Sequence, residues 1–149
     1  MFKRILVPLD GSPMAEAILS RLGRLIGSEE AEVLLVRAVP PPMSEGAVLV
    51  LNQIMDGAEH CLKGVQARLQ KEGRRARGVV RLGTPGRVIL DVAEEEQVSL
   101  IAMTTHGRTG LSRWVFGSVA EKVIHEARVP VLIFKGHAPA RVLLPVANG

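Results

Sequence analysis

Short apolar runs alternate with amphipathic stretches along the chain. Ile5–Leu9, Glu32–Val39, Val79–Leu82, Leu100–Met103 and Val129–Phe134 read as strands, because continuous Val/Ile/Leu runs of this length suit strands covered on both faces. Between them, apolar positions recur at helical spacing. Ser12-Pro13 reads as an N-cap followed by a first-turn proline, after which Ile18, Leu22, Leu25 and Ile26 share one face. The longest helical segment covers about residues 51–73, with Leu51, Ile54, Met55, Ala58, Cys61, Leu62, Val65 and Leu69 as its stripe and Gly73 as its stop. Thr84-Pro85 opens a third helix carrying Val88, Ile89, Val92 and Ala93. A fourth opens at Ser118, where Ser118-Val119-Ala120-Glu121 has the form of a capping box.

Strand and helix alternating in this way predict an α/β fold: an open, parallel, five-stranded sheet with helices on both faces and strand order 3-2-1-4-5. In that order the chain winds outward from strand one and then returns to lay strand four on its other side. A crevice is therefore expected between the loops after strands one and four, the place where ligands bind in such sheets. With 149 residues the chain supports one domain with a sizeable core. That domain is expected over residues 1–137. Residues 138–149 form a C-terminal extension in which Arg141-Val142-Leu143-Leu144-Pro145-Val146 echoes Arg4-Ile5-Leu6-Val7-Pro8-Leu9. The echo reads as the first strand of a second repeat, or as an arm that docks on a partner subunit.

Composition narrows the function classes. The start, Met1-Phe2-Lys3-Arg4, runs directly into a strand pattern, and no apolar stretch reaches the length of a membrane span, so a cytoplasmic protein with no membrane partner is expected. The single cysteine, Cys61, cannot form an intrachain disulfide and is read as a core or interface residue on the long helix. A net charge of +4 includes a cluster at Arg68, Lys71, Arg74, Arg75, Arg77 and Arg81. No aromatic residues interleave with that cluster and no nucleic-acid motif is present, which favours a solvated helix end over a nucleic-acid surface.

The richest chemistry lies in Thr104–Ser118, a strand-to-helix connection longer than such folds need. Gly107, Gly110 and Gly117 permit close backbone approach to a ligand. The helix opening at Gly117-Ser118 would direct free N–H groups and its positive dipole end into the crevice, a setting suited to phosphate. Arg108 adds permanent charge, and Thr104, Thr105 and Ser118 add hydroxyls. Facing them, Pro8-Leu9-Asp10-Gly11-Ser12 follows strand one, and Asp10 could accept from a ribose donor or hold a divalent ion that bridges phosphates. Ala38, Val39 and Pro40 after strand two make an apolar, hydrogen-bonding edge suited to a purine. Ser118 as a simple helix cap, Asp10 as a turn residue and Ala38-Val39 as plain strand end are the competing structural readings.

Across nearly the whole chain up to about Lys135, these residues resemble the universal stress proteins. Nucleotide-binding members of that family carry the pattern Gly-x2-Gly-x9-Gly-Ser/Thr. Here Gly107, nine residues and Gly117-Ser118 match its later elements, while Thr104 stands at the first glycine. Lys3–Ser12, Gly83-Thr84-Pro85 and Gly117–Val123 leading to Val129–Ile133 also look like the family. The resemblance implies a Rossmann-like domain and a homodimer joined through the Val129–Phe134 strand, which would otherwise be a bare apolar edge. It also implies ATP, with Mg²⁺ as an accompanying ion held by Asp10 only through the phosphates. The implied contacts are Pro8, Leu9 and Asp10 after strand one, Ala38 and Val39 at the adenine, and Met103, Thr104, His106, Gly107, Gly117, Ser118 and Val119 around ribose and phosphates.

The function expected is an ATP-binding, stress-response regulator acting as a nucleotide-dependent dimeric switch. The sequence holds no Gly-x-Ser-x-Gly elbow and no Walker A loop. Catalysis is therefore expected to be absent or limited to slow hydrolysis. A slow ATPase or nucleotide-using transferase is one alternative; a structural or partner-binding module, favoured if Thr104 fills the pocket, is the other.

Overall fold

The structure is a computed structural model that describes residues 2–26, 30–105, 117–135 and 141–145. Its elements run β1 (Arg4–Pro8), α1 (Pro13–Ile26), β2 (Glu32–Val39), α2 (Glu45–Lys71), β3 (Arg75–Leu82), α3 (Pro85–Glu95), β4 (Leu100–Thr105), α4 (Ser118–Glu126), β5 (Val131–Lys135) and β6 (Arg141–Leu143). They form one sheet in the order β3-β2-β1-β4-β5-β6. The first five strands pair in parallel in the expected order.

β6 is the addition. It pairs antiparallel with β5, matching Val131 to Leu143, Leu132 to Val142 and Ile133 to Arg141. The edge of β5, expected to be bare, is therefore covered from within the same chain, and the C-terminal peptide finds its pairing partner there.

Alternation along the strands divides the core in two. Ile5, Val7, Val33, Leu35, Leu100, Ala102, Leu132 and Phe134 face α1 and α2 in one buried cluster. Leu6, Leu34, Val36, Ile101, Met103, Val131 and Ile133 face α3 and α4 in the other. Both faces of the central strands are thus dry, which is why their sequences are continuously apolar. Truncating a fully buried residue at the centre, such as Leu34, would cost about 2–5 kcal/mol.

The long helix differs from its expected outline. α2 begins at Glu45, where Ser44 caps it by accepting from the Ala47 N–H at 3.2 Å. Its 27 residues span about 40 Å against about 26 Å for an eight-residue strand. The helix therefore outruns the sheet. Only its second half is gripped, through Ala58, Leu62, Val65 and Leu69, while Val48, Leu49 and Ile54 are exposed. Cys61 is also exposed, which corrects its reading as a core residue: it lies a helical step to the side of the Ala58–Leu62 line. Where α2 crosses β3, Gly78 lets it approach, since a Cβ there would lie 2.8 Å from Leu62 Cδ2.

Two arginines and two glutamates clamp the amino-terminal edge of the sheet. Arg77 bonds to Glu96 and, at 3.2 Å, to Glu32. Arg4 Nε lies 2.9 Å from Glu32 but off the hydrogen-bonding direction, so that contact is electrostatic. Arg4 Nη1 donates to the Glu96 carbonyl at 2.6 Å. Together they tie β1, β2, β3 and the end of α3. Arg68, Arg77 and Arg81 of the basic cluster are each paired with a carboxylate, so the cluster is spread over ion pairs on two elements rather than gathered at one helix end.

The hydrogen bond from Arg77 holds the Glu96 carboxyl below its ordinary range. A lowered carboxylate stabilises the fold above its unfolded pKa, and that contribution is lost as pH falls through its folded pKa. Glu96→Gln is therefore expected to lower stability by about 0.5–1 kcal/mol at pH 7, the scale of solvent-screened pairs. The gap from the parent chain should close as pH falls below the carboxylate range near 4.5. Urea titrations of both chains at pH 7 and pH 3 check this; an equal gap at the two pH values would contradict it.

Candidate functional site

At the carboxyl edge of the sheet, between the ends of β1 and β4, lies a crevice of about 400 Å³. Val36 and Ala38 on β2 and Met103 on β4 make its sheet wall. Pro85 and Ile89 of α3 close one side, and Gly117, Ser118, Val119 and Ala120 bring the start of α4 to another. Pro8, Leu9 and Asp10 form the rim after β1, with Ala15 of α1 and Thr104 and Thr105 of β4 completing it. Asp10 is the single ionisable group among these lining residues.

The rim after β1 is held by local chemistry. Asp10 Oδ1 accepts from the Ser12 N–H at 2.8 Å, and Ser12 Oγ accepts from the Ala15 N–H at 3.2 Å, capping α1 ahead of Pro13. Between them Gly11 has φ +85°, a left-handed conformation that favours glycine. Asp10 is thus both a turn residue and an exposed carboxylate on the rim.

The expected capping box at α4 does not form. The N-cap is Gly117, Ser118 lies inside the first turn, and no described side chain caps the helix. The Glu121 N–H makes the ordinary helical bond to the Gly117 carbonyl at 2.9 Å. Because the chain enters the helix one residue earlier than a Ser118 cap requires, first-turn N–H groups of α4 remain without a capping side chain at the crevice wall. Such a helix start attracts negatively charged oxygen.

The structure brings Pro8, Leu9, Asp10, Ala38, Met103, Thr104, Gly117, Ser118 and Val119 around one crevice. Val39 is not among its lining residues. Alternation along β2 puts its side chain on the face opposite Ala38, and its carbonyl accepts from the Gly83 N–H at 2.8 Å. His106, Gly107, Gly110 and Arg108 lie outside the described residues. The sequence reading missed Ala15, Val36, Pro85, Ile89 and Ala120. Two of these were within reach: Val36 is two residues before Ala38 on the same face, and Ile89 is one helical turn after Pro85.

A doubly wound sheet with a crevice at the β1/β4 switch defines a Rossmann-like domain, and comparison with known proteins gives its family. The model of the universal stress protein family matches residues 1–135, and the chain belongs to that family. A universal stress protein of Methanothermobacter thermautotrophicus is 36% identical over 139 residues, covering 85% of this chain and 91% of that one. Universal stress protein MJ0531 of Methanocaldococcus jannaschii is 30% identical over 141 residues, covering 91% and 83%. Among solved structures, that of MJ0577 from the same organism superposes with a TM-score of 0.78 at 30% identity, covering 91% of this chain and 96% of that one. A universal stress protein solved in complex with cAMP shares the fold, with a TM-score of 0.63 at 20% identity and coverage of 91% and 98%.

The two roles of Asp10 separate by substitution. Asp10→Asn keeps an oxygen for the Ser12 N–H and should leave stability within about 0.5 kcal/mol. Asp10→Ala leaves that N–H without the turn bond and should cost about 1 kcal/mol. Thermal unfolding of both variants checks this; equal losses would show that the turn bond contributes little.

Proposed function

We propose that this chain binds an adenine nucleotide, ATP first, in the crevice between β1 and β4 and works as a nucleotide-dependent regulatory switch in the stress response. The observation that carries this reading is the uncapped start of α4, opening beside Ser118 onto an apolar cleft. Val36, Ala38, Met103 and Ile89 offer a wall for the base, and the first-turn N–H groups offer donors for phosphate oxygens. Asp10 would serve the ribose, or a Mg²⁺ ion already carried by the phosphates. Among the described residues no cluster of His, Cys, Asp or Glu could hold a metal by itself. Gly107 and Arg108 belong to the proposed phosphate contacts, His106 to the ribose side, and Val39 to the adenine through its backbone.

Regulation rather than turnover fits the described part of the lining, where Asp10 is the one ionisable group and its carboxylate already serves the Ser12 N–H. Occupancy would bias the arrangement around the crevice, and partners would read the difference. Among the described residues no helix is long and apolar enough to cross a membrane, and a cytoplasmic setting completes the proposal. A homodimer through Val129–Phe134 fits only with β6 lifted away, because β5 has one free edge and β6 occupies it.

Calorimetry with ATP, AMP and cAMP, with and without Mg²⁺, tests the binding. Uptake of ATP by the parent chain and its loss in Gly117→Val are expected. The substitution is compatible with the described fold, since a Cβ at Gly117 meets no atom of the described residues within 4 Å. A parent chain that takes up none of the three would favour the structural or partner-binding module, and steady phosphate release would favour an ATPase. A Gly117→Val chain that binds ATP as well as the parent would remove the start of α4 from the site.

Dimerisation is tested by light scattering on the full chain and on one ending at Lys135. The shortened chain, its β5 edge open, should dimerise at lower concentration. A shortened chain that stays monomeric across a hundredfold range of concentration would remove the strand-paired dimer.

A further inference from the structure

The first half of α2 shows solvent more apolar surface than a solvated helix carries. Of the eight exposed large hydrophobic side chains among the described residues, five lie between Met43 and Ile54, which singles this segment out. Leu49 is 84% exposed there, and between Glu45 and Asp56 the helix holds no charged side chain. A contiguous apolar patch of this kind marks a surface that another molecule covers.

Gly57 and Gly64 lie inside the same helix, where glycine is weaker than alanine. Elsewhere a glycine makes room within the chain: a Cβ at Gly78 would lie 2.8 Å from Leu62 Cδ2, and one at Gly86 2.7 Å from Lys122 Cδ. A Cβ at Gly57 or Gly64 would meet nothing within 4 Å, so this chain's own packing does not use them. Val50, Gly57 and Gly64 follow one another at seven-residue spacing and share one face of α2, to the side of the stripe that grips the sheet. A helix laid along that face can come close at both glycines.

The occupant that fits is a second α2. About a two-fold axis at Gly57, an antiparallel copy sets Val50 of each chain over Gly64 of the other, because both stand seven residues from the axis. The same rotation brings Glu45 of one copy beside Arg68 of the other, whose own pair with Glu16 is a loose 3.8 Å. Charge sorts along the helix in that sense: Glu45, Asp56 and Glu59 come first, and Lys63, Arg68 and Lys71 follow. Antiparallel copies therefore meet acid to base and opposite dipole ends together, whereas parallel copies would meet like to like. A lipid surface fits less well, since Glu45, Asp56 and Glu59 flank the apolar segment and anionic headgroups repel them.

We propose that α2 is an association surface for a second copy of this chain, paired antiparallel through the face of Val50, Gly57 and Gly64. It stands independently of the nucleotide reading. Such a dimer also leaves β6 in place on β5, which a dimer built on the β5 edge does not.

Sedimentation equilibrium on the full chain across a hundredfold range of concentration should show a monomer–dimer equilibrium. Gly57→Leu and Gly64→Leu should each weaken it about tenfold or more, because the added side chain fills the space the partner helix needs. At a concentration where all are monomeric, both variants should melt about 2–4 °C above the parent, as leucine is the better helix former. Asp56→Asn should tighten the dimer, since Asp56 adjoins the axis and approaches its own copy. In a Cys61→Ser chain treated with oxidised glutathione, Gly57→Cys should give a disulfide-linked dimer and Gly46→Cys should not. A monomeric parent overturns the proposal, and one that co-sediments with phosphatidylcholine vesicles would make lipid the occupant instead. Leucine variants that dimerise like the parent would move the interface elsewhere, to the β5 edge for example. Leucine variants that melt below the parent would mean that the chain's own residues cover the face. Absence of the Gly57→Cys cross-link in a chain that still dimerises would overturn the antiparallel pairing.

Discussion

The crevice exists because β1 and β4 stop pairing before they end. Registered pairing joins Ile5 to Leu100 and Leu6 to Ile101, whereas β1 stays paired with β2 as far as Pro8 and Val36. In a parallel sheet, successive residues turn their peptide groups toward alternate neighbours. Leu9 donates to Val36 on β2, while the Arg4 carbonyl accepts from Ser99 at the start of β4. The even-numbered residues of β1 therefore face β4, and Pro8 is the next in that series. Proline has no N–H to give, so the ladder toward β4 ends there and the strands part. Pro8, Leu9 and Asp10 become one lip of the opening, Met103 and Thr104 the other.

The opening has a charge pattern that follows from its construction. Parallel strands present their carboxyl ends together, and each helix that follows starts at that same edge, with its unpaired N–H groups turned the same way. α1 spends its start on Ser12 and Pro13, and α3 begins with Pro85, which has no N–H. α4, entered through Gly117, is left with neither device among the described residues. Of the three helix starts at the crevice, α4 is thus the one that, among the described residues, has neither a capping side chain nor a first-turn proline. Asp10 across the opening would limit any ligand bound there: a carboxylate repels bare phosphate, and so suits a ribose hydroxyl or a cation-bridged group.

The fold was legible because burial on both faces of a sheet leaves a plain trace, namely continuous apolar strands separated by helical stripes. The position of the crevice followed from strand order alone, and the residues at strand ends, Pro8 to Asp10, Ala38 and Thr104, came with it, while Met103 came from the family resemblance. Side-chain direction was harder to read. Val39 and Ala38 differ by one residue and by a whole face of the sheet, and only the register separates them. Ser118 looked like a cap because Glu121 follows at the right spacing, yet Gly117 takes that place. The start of α2 was hidden because Gly46 in its first turn is a poor helix former, and the part that outruns the sheet lacks the contacts that make a stripe meaningful. The family pattern flagged Thr104 as a departure. That its buried hydroxyl has no partner among the described residues is a fact of packing that no local motif carries.

The two edges of the sheet are protected by different physics, and the difference bears on association. β3 carries Arg75, Arg77 and Arg81, charges that deter pairing with another strand, and Arg77 and Arg81 are anchored on Glu96 and Glu95. That edge is guarded by charge rather than by a covering strand. β5 is Val131-Leu132-Ile133-Phe134-Lys135, with the attraction for another strand that apolar β-formers have, and β6 covers it with three residues. A three-residue strand offers fewer ladder bonds than a longer one, so β5 is covered over only part of its length. Of the two edges, that of β5 is the one whose side chains favour a further strand, and β6 is the strand that occupies it.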